Sequence, residues 1–313
     1  MTVRMVVTHA NAWARERWRK ALEREMDVEV VLCDTAAPAP TIRADYALGW
    51  RPHDDFFSAV TGLKAYFSTG AGVDFVMTHP GLPASLPVIR LEDAGMGVQM
   101  AEHCVLEVLR AFRLCAQYEA QQREGVWRTL EPPPRESFTV GMFGIGVLGL
   151  EVARHLRAFG FPVLGYSRSP RNEPGVECLS GPNRLREFLG RSRVLIVLAP
   201  LTPETADFFN AERLAMLPAG ALLINVARGG LVVEQDLLAA LDSGHLGGAA
   251  LDVFRTEPLP PQHPFWSHPR VRITPHVAAR TLVAESAAQV AGKIAQLERG
   301  ESVSGLVDRS RGY

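Results

Sequence analysis

The sequence predicts an α/β protein of two domains, in which a doubly wound parallel sheet is inserted into a smaller α/β domain. The chain has 313 residues, which is more than one ordinary hydrophobic core accommodates. Short apolar runs alternate with turn-rich and helical segments, and several runs after residue 138 are continuously apolar, as in strands covered on both faces. We expect residues 1–97 and 283–313 to form one domain and residues 98–282 the other.

The first domain is predicted from apolar runs separated by turn residues. These runs predict four strands, namely Met5–Thr8, Val28–Leu32, Tyr46–Trp50 and Lys64–Ser68, and helical spacing predicts two helices, Arg15–Glu25 and Phe56–Gly62. The segment Val98–Tyr118 contains no Pro or Gly and is apolar along one side, which predicts a single long helix. A proline-rich break at Glu131–Arg135 ends this part of the chain.

From Phe138 onward a pattern of strand, turn and helix repeats, which is typical of a parallel sheet. Strands are predicted at Phe138–Phe143, Val163–Tyr166, Val194–Leu198, Ala221–Val226, Ala249–Val253 and Val271–Thr274. An amphipathic helix is predicted at Val283–Leu297, after which the tail returns to the first domain.

Composition excludes several classes of partner. The formal net charge is −1, so no excess of positive charge attracts nucleic acid or an anionic membrane surface. Four scattered cysteines form no Cys-x-x-Cys pair, which favours free thiols in a reducing compartment and no metal site. No apolar run reaches the ~18 residues of a membrane span. These observations predict a cytoplasmic protein.

A glycine-rich turn carries the first functional signal. The motif Gly144-Ile-Gly146-Val147-Leu148-Gly149 follows one predicted strand and opens a predicted helix, Leu150–Phe159, as in Rossmann-type dinucleotide-binding domains. Its glycines would permit the tight turn, the close approach of a pyrophosphate and close packing of helix on strand. The alternative is an ordinary turn that needs flexible residues.

The end of the second strand of this domain predicts which dinucleotide binds. An acidic residue there would bind the ribose 2′-hydroxyl of NAD, but the sequence has Ser167, Arg168 and Arg171, and Arg168 lies 168 − 149 = 19 residues past Gly149. A guanidinium binds a 2′-phosphate with two hydrogen bonds, and a serine adds a hydroxyl. We expect NADPH to be preferred and NADH to be possible, the alternative being a solvated arginine pair.

Three polar residues follow apolar strands of the second domain and suggest catalysis: Arg228, Glu257 and His276. Reduction of a 2-keto acid needs a cation that binds the carboxylate and polarises the carbonyl, and an acid that protonates the alkoxide. A histidine paired with a carboxylate suits the second task, because the pairing favours the imidazolium near neutral pH. Each residue alone also fits an ordinary loop, so the prediction rests on the set.

With these motifs the chain resembles the D-isomer-specific 2-hydroxyacid dehydrogenases along nearly its whole length. The segments that resemble family signatures are Gly144–Gly149, Asn225–Gly230, Leu251–Pro258 and Thr274–Ala278. Four others resemble the branch that reduces glyoxylate and hydroxypyruvate, namely Arg90–Gly97, Tyr166–Arg171, Leu241–Gly244 and Val307–Tyr313. Arg90–Gly97 differs from the Asn-containing form common elsewhere in the family, which leaves substrate size open.

The resemblance implies a Rossmann-type domain inserted in a flavodoxin-like substrate domain, and it implies a role for each candidate residue. His276 would be the acid/base, Glu257 its orienting partner and Arg228 the substrate anchor. The N–H groups of Ala71, Gly72 and Val73, in the turn Gly70–Asp74, would bind the substrate carboxylate. Further cofactor contacts would come from Ala199, Pro200, Ala227, Asp252, His276 and Ala278, with Asp252 near the nicotinamide carboxamide.

Several points stay open at the level of sequence. Trp50 would either close the substrate pocket, favouring acids of two or three carbons, or belong to the core. The segment Tyr118–Arg135, with Trp127, is either a mobile loop or an arm that packs on a second copy, and the resemblance implies a homodimer through the nucleotide-binding domain. The alternatives to keto-acid reduction by this enzyme class are a dinucleotide-sensing scaffold and a dehydrogenase for another 2-hydroxy acid.

Overall fold

The computed structural model describes residues 2–312, which divide into two compact units. One unit holds the chain up to Gly95 together with the part from Thr281 onward, and the other is Met96–Arg280. The boundaries expected from the sequence, after residues 97 and 282, each lie two residues beyond these. The assignment of substrate and dinucleotide to the two units stays a prediction.

The elements follow one another in chain order. The strands are β1 Val3–Thr8, β2 Val28–Cys33, β3 Ile42–Arg43, β4 Tyr46–Gly49, β5 Val60–Thr61, β6 Ala65–Ser68, β7 Val88–Arg90, β8 Val140–Phe143, β9 Val163–Ser167, β10 Glu177–Ser180, β11 Val194–Val197, β12 Ala221–Asn225, β13 Leu246–Leu251 and β14 Val271–Ile273. The helices are α1 Ala12–Glu25, α2 Phe56–Ala59, α3 Asp74–Met77, α4 Met96–Phe112, α5 Cys115–Glu124, α6 Val147–Ala158, α7 Leu185–Arg191, α8 Ala211–Leu214, α9 Glu234–Asp242 and α10 Val283–Glu298.

The first unit is built on a five-stranded parallel sheet of order β2-β1-β4-β6-β7, which is the flavodoxin-like order 2-1-3-4-5 once the two-residue strands β3 and β5 are left aside. Helix α1 packs against α10 beside it. The tail returns to this sheet, since Arg90 donates its N–H to the Gly305 carbonyl at 2.9 Å and Val307 donates to the Val88 carbonyl at 2.9 Å.

The second unit contains a seven-stranded parallel sheet of order β10-β9-β8-β11-β12-β13-β14. Its first six strands have the order 3-2-1-4-5-6 of a doubly wound dinucleotide fold. Along β11, Val194 and Ile196 pack into one apolar cluster, while Leu195 and Val197 pack into another on the opposite face. Both faces are therefore covered, as the continuous apolar runs predicted, and the predicted fold class is confirmed.

The structure corrects the prediction of one helix over Val98–Tyr118. Helix α4 ends at Phe112, and Leu114 takes the left-handed conformation at φ 57° before α5 begins at Cys115. The N–H of Gln117 then donates to the Leu114 carbonyl, which starts the new helix. The predicted helix Phe56–Gly62 is likewise shorter, because the chain becomes extended at Val60.

Candidate active site

The glycine turn lies between β8 and α6 and has the geometry expected of a phosphate cradle. Gly144 has φ +108°, and a Cβ built on it would lie 2.6 Å from the Ala199 nitrogen, so only glycine fits between the ends of β8 and β11. A Cβ on Gly149 would lie 2.5 Å from the Gly144 carbonyl oxygen. A Cβ on Gly146 would meet nothing within 4 Å. The turn is thus close-packed on one side and open at Gly146, which fits a pyrophosphate.

The N-terminus of α6 begins directly at this turn. The helix starts at Val147, three residues before the predicted start, with Gly146 as its N-cap and no side-chain cap. The first intrahelical bond of this turn runs from the Leu150 N–H to the Gly146 carbonyl at 2.9 Å. Hence the N–H groups of Val147, Leu148 and Gly149 have no acceptor within the helix and are available to an anion.

The predicted 2′-phosphate residues lie at and beyond the end of β9. The Arg168 guanidinium lies 3.5 Å from the Glu204 carboxylate, and the two side chains are 52% and 71% exposed. Arg171 lies 3.7 Å from Glu173. The Ser167 hydroxyl donates to the Ser169 carbonyl at 2.7 Å. Such exposed ion pairs contribute little stability, so an arriving phosphate can displace the carboxylates.

Arg228 follows β12 in a loop whose backbone is tightly held. Its carbonyl accepts a hydrogen bond from the Asn225 amide at 2.9 Å, and its own guanidinium donates to the Ala227 carbonyl at 2.7 Å. A Cβ on Gly229 would overlap the backbone of Phe254 and Arg255, so this loop packs directly on the loop after β13. That packing brings Arg228 close to Glu257.

Glu257 and His276 form a hydrogen-bonded pair. The imidazole Nδ1 lies 2.8 Å from one carboxylate oxygen, and the other oxygen accepts the Phe254 N–H at 3.0 Å. Burial raises the pKa of the Glu257 carboxyl, but the bonds from His276 and Phe254 and the charges of His276 and Arg228 outweigh it and hold that pKa below its usual range. The carboxylate is therefore ionised at neutral pH. The His276 side chain is 39% exposed, so its free nitrogen is accessible to a substrate.

Asp252, immediately after β13, is a buried residue whose side chain bonds the loop that carries His276. It is 1% exposed, and its carboxylate accepts the Thr274 hydroxyl at 2.6 Å and the N–H groups of Val277 and Ala278 at 2.9 Å each. His276 itself has φ +54°. Of the other predicted cofactor contacts, Ala199 and Ala227 are buried two residues past β11 and β12, and Ala278 is buried in the loop after β14. The Pro200 carbonyl accepts the Thr205 hydroxyl at 2.7 Å.

In the first unit, Trp50 and the turn Gly70–Asp74 lie together at the ends of β4 and β6. A Cβ on Gly70 would overlap the indole of Trp50, whose ring also meets Phe75 edge-on with centroids 5.3 Å apart. Among the described residues, none accepts a hydrogen bond from the main-chain N–H of Ala71, Gly72 or Val73. The sequence-predicted residues of this turn and Trp50 are thus neighbours, and the turn presents N–H groups that suit a carboxylate.

Sequence reasoning missed two polar residues that hold these loops, Asn225 and Thr274. Both stand at the ends of apolar strands, which is the signal that pointed to Arg228 and His276. Across residues 2–312 no cluster of metal-ligating side chains is present and no helix is long and apolar enough to cross a membrane. All four cysteines are free.

Known proteins similar to this chain include enzymes of one family. A family model for the NAD binding domain of D-isomer specific 2-hydroxyacid dehydrogenases matches residues 105–278. A glyoxylate/hydroxypyruvate reductase A of Salmonella paratyphi B is 51% identical over 275 residues, which are 86% of this chain and 88% of the relative.

Two solved structures align with this chain over its whole length and over their own whole length. The NADPH-dependent glyoxylate/hydroxypyruvate reductase of Sinorhizobium meliloti, in complex with NADP and sulfate, has a TM-score of 0.91 at 40% identity. A D-isomer specific 2-hydroxyacid dehydrogenase of Xanthobacter autotrophicus, in complex with NADPH and MES, has a TM-score of 0.93 at 39% identity. With the family model, the close relative and the matching fold together, the chain belongs to the D-isomer-specific 2-hydroxyacid dehydrogenases, a family of NAD(P)-dependent oxidoreductases.

Proposed function

We propose that the protein reduces small 2-keto acids with NADPH, converting glyoxylate to glycolate and hydroxypyruvate to glycerate. The observation that carries the proposal is the Glu257–His276 pair, with Arg228 close to it, at the carboxyl ends of a dinucleotide-type sheet. Open parallel sheets bind their ligands at these ends. The choice of substrates is supported by the relatives named as glyoxylate/hydroxypyruvate reductases.

The residues of the second unit fit a nicotinamide dinucleotide. The open side of the turn at Gly146 and the free N–H groups of Val147 and Leu148 would bind the pyrophosphate. Ser167, Arg168 and Arg171 would bind the 2′-phosphate, in keeping with the NADP and NADPH of the two similar structures. The remaining contacts would come from Ala199, Pro200, Ala227, Asp252, His276 and Ala278. NADH, which lacks the 2′-phosphate, would bind more weakly.

The side chains then divide the chemistry between them. When bound, the reduced nicotinamide supplies the hydride. Arg228 holds the substrate carboxylate and polarises the keto oxygen. The main-chain N–H groups of Ala71, Gly72 and Val73 in the first unit are the other candidate group for a carboxylate. His276 gives its proton to the oxygen as negative charge develops there, while the ionised Glu257 stabilises the imidazolium and orients its ring.

Substrate size is assigned to Trp50. The indole packs on Gly70, where no side chain fits, and Phe75 supports it from the side. We propose that this packed indole, next to the turn Gly70–Asp74, limits the length of the substrate. Acids of two or three carbons are therefore the expected substrates.

Initial rates for a panel of 2-keto acids, each with NADPH and with NADH, test the proposal. We expect glyoxylate and hydroxypyruvate with NADPH to give the highest kcat/KM. A higher kcat/KM for a longer or branched keto acid would make the protein a dehydrogenase of another 2-hydroxy acid. No turnover on any member of the panel, with NADPH still bound, would favour a dinucleotide-sensing scaffold.

The pH dependence of reduction tests the role of Glu257. In Glu257→Gln the ionised carboxylate that pairs with His276 is gone, so a limb of the rate profile should move along the pH axis. The pKa of the Glu257 carboxyl is lowered in the folded protein, so the ionised group stabilises the fold at pH values above its ordinary titration range. This stabilisation is lost only as pH falls through the lowered pKa. Rate profiles of both proteins from pH 5 to about 9 measure the shift. A limb that stays in place would reduce Glu257 to a positional role.

We also propose a cytoplasmic homodimer that pairs through the nucleotide-binding domain. On α4, Val98 and Leu106 are 47% and 54% exposed, and Trp127 in the segment after α5 is fully exposed. Exposed aromatic and aliphatic side chains of this kind are typical of an interface, and two-fold pairing is the commonest arrangement. Trp127→Ala should weaken the dimer in sedimentation at micromolar concentration, whereas Trp13→Ala on α1, also exposed, should not. A fully active wild-type monomer would contradict the proposal.

A further inference from the structure

Two buried polar side chains stand at the ends of neighbouring strands and face the loops of the proposed catalytic residues. Asn225 is the last residue of β12, Asp252 directly follows β13, and each is 1% exposed. Burying an amide and a carboxylate costs free energy unless each is fully hydrogen-bonded. The Asn225 side chain bonds the loop after β12, and the Asp252 side chain bonds the loop after β14.

Asn225 holds the loop that carries Arg228. Its amide nitrogen donates to the Arg228 carbonyl at 2.9 Å, and its amide oxygen accepts the Ala227 N–H at 3.2 Å. The side chain thus bonds two consecutive residues, and these bonds determine the direction in which the Arg228 side chain leaves the backbone. A donor and an acceptor are both required, which an amide supplies and a carboxylate does not.

Asp252 holds the loop that carries His276, and it does so from both sides of that residue. One carboxylate oxygen accepts the Thr274 hydroxyl and the Val277 N–H, and the other accepts the Ala278 N–H. The Asp252 carbonyl accepts the His276 N–H at 2.8 Å. His276 has the left-handed φ of +54°, which is costly for a histidine and persists only where its surroundings impose it.

Asn225 and Asp252 are also hydrogen-bonded to each other, since the Asp252 N–H donates to the Asn225 carbonyl at 3.0 Å. A continuous path of hydrogen bonds therefore runs from the backbone of Arg228 to the backbone of His276. We propose that Asn225 and Asp252 are paired positioning residues that set the spacing between the substrate anchor and the proton donor. This inference rests on the roles proposed above for Arg228 and His276.

The proposal predicts different kinetic defects for the two residues. Loosening the Arg228 loop should weaken substrate binding, and so raise KM for glyoxylate, while loosening the His276 loop should lower kcat. A misplacement of about 1 Å costs up to ~100-fold in rate, so changes of about 10- to 100-fold are expected. If the residues were merely structural, each variant would show a raised KM and a lowered kcat together, with a lowered Tm.

The variants are chosen to keep shape while changing hydrogen bonding. Asn225→Asp removes the donor to the Arg228 carbonyl. Asp252→Asn replaces one acceptor oxygen with an NH2 donor, which cannot accept the hydrogen bonds that this oxygen receives from the loop. Thr274→Val removes the hydroxyl that bonds Asp252, and Thr274→Ser is its matched control because it keeps that hydroxyl. We expect Asn225→Asp to raise KM, Asp252→Asn and Thr274→Val to lower kcat, and Thr274→Ser to behave as wild type.

Amide hydrogen exchange at Val277 and Ala278 supplies a readout that does not need activity. Both amides should exchange faster in Asp252→Asn, with the global Tm close to wild type. Unchanged exchange, or kcat and KM changed alike in Asn225→Asp and Asp252→Asn, would overturn the inference. If wild type reduces no keto acid, the proposed function fails separately, and the exchange experiment still decides whether Asp252 holds the loop.

Discussion

Replacing His276 with Ala is expected to abolish most keto-acid reduction while leaving NADPH binding nearly unchanged. The imidazole is the proposed proton donor, and a general acid in place contributes typically ~10²- to 10⁴-fold to the rate. Most of the NADPH affinity would come from the glycine turn and the arginines after β9, with His276 only one of several further contacts. Steady-state rates with glyoxylate and a fluorescence titration with NADPH measure the two effects.

A matched control for this variant is His268→Ala. His268 lies in the same unit, 3.3 Å from Asp242, and no part of the proposed chemistry uses it. The His268 side chain is 10% exposed, so its loss should lower Tm, but kcat/KM for glyoxylate should stay within about twofold of wild type. A His276→Ala enzyme that retained wild-type turnover would remove His276 from the mechanism.

Replacing Arg168 with Ala is expected to weaken NADPH far more than NADH. A charge-assisted hydrogen bond to a phosphate contributes about 1.5–3 kcal/mol, so NADPH affinity should fall ~10- to 150-fold. NADH has no 2′-phosphate, so its affinity should barely change. In the free protein Arg168 lies 3.5 Å from Glu204, and Glu204→Gln should therefore bind NADPH somewhat more tightly than wild type.

Arg191→Ala is the control for this change. Arg191 is an arginine of the same unit, 45% exposed and 2.6 Å from Glu177, which begins β10 at the end opposite to the Ser180–Ser167 pair. Its removal should affect neither cofactor. Equal weakening of NADPH and NADH by Arg168→Ala would show that the guanidinium does not recognise the 2′-phosphate.

The glycine turn and the strands around it could be predicted from sequence because their signals are local. A continuous apolar run identifies a doubly covered strand, and Gly149 is required by a contact within its own strand-turn-helix unit. Gly144 is required in addition by Ala199 at the end of β11, a contact that the sequence does not show. The short strands β7 and β10 were missed. Both lie at the outer edges of the sheets, where β7 contributes two buried residues and β10 only one, so neither forms a long continuous apolar run.

The break between α4 and α5 could not be predicted for a different reason. Leucine is a common residue in helices, yet Leu114 adopts a left-handed conformation. Arg110 of α4 also forms an ion pair with Glu119 of α5. The sequence between α4 and α5 contains no glycine or proline that would indicate a turn. Tertiary contacts decide it, and a single sequence does not display them.

The candidate residues could be found one at a time, but their support could not. Arg228, Glu257 and His276 follow apolar strands and carry the right chemistry for keto-acid reduction. The Asp252 carboxylate accepts hydrogen bonds from residues more than 20 positions away, namely Thr274, Val277 and Ala278. Only the pairing of β13 with β14 brings these residues together. The left-handed backbone of His276 is a consequence of that arrangement.

The most direct test of the proposed reaction follows the hydrogen itself. NADPH deuterated at C4 of the nicotinamide is incubated with glyoxylate and with hydroxypyruvate, and the products are examined by NMR and mass spectrometry. Hydride transfer from NADPH to the keto carbon predicts glycolate and D-glycerate with deuterium at C2, in amounts equal to the NADP⁺ formed. Oxidation of NADPH without deuterium in the hydroxy acid, or no hydroxy acid at all, would contradict it.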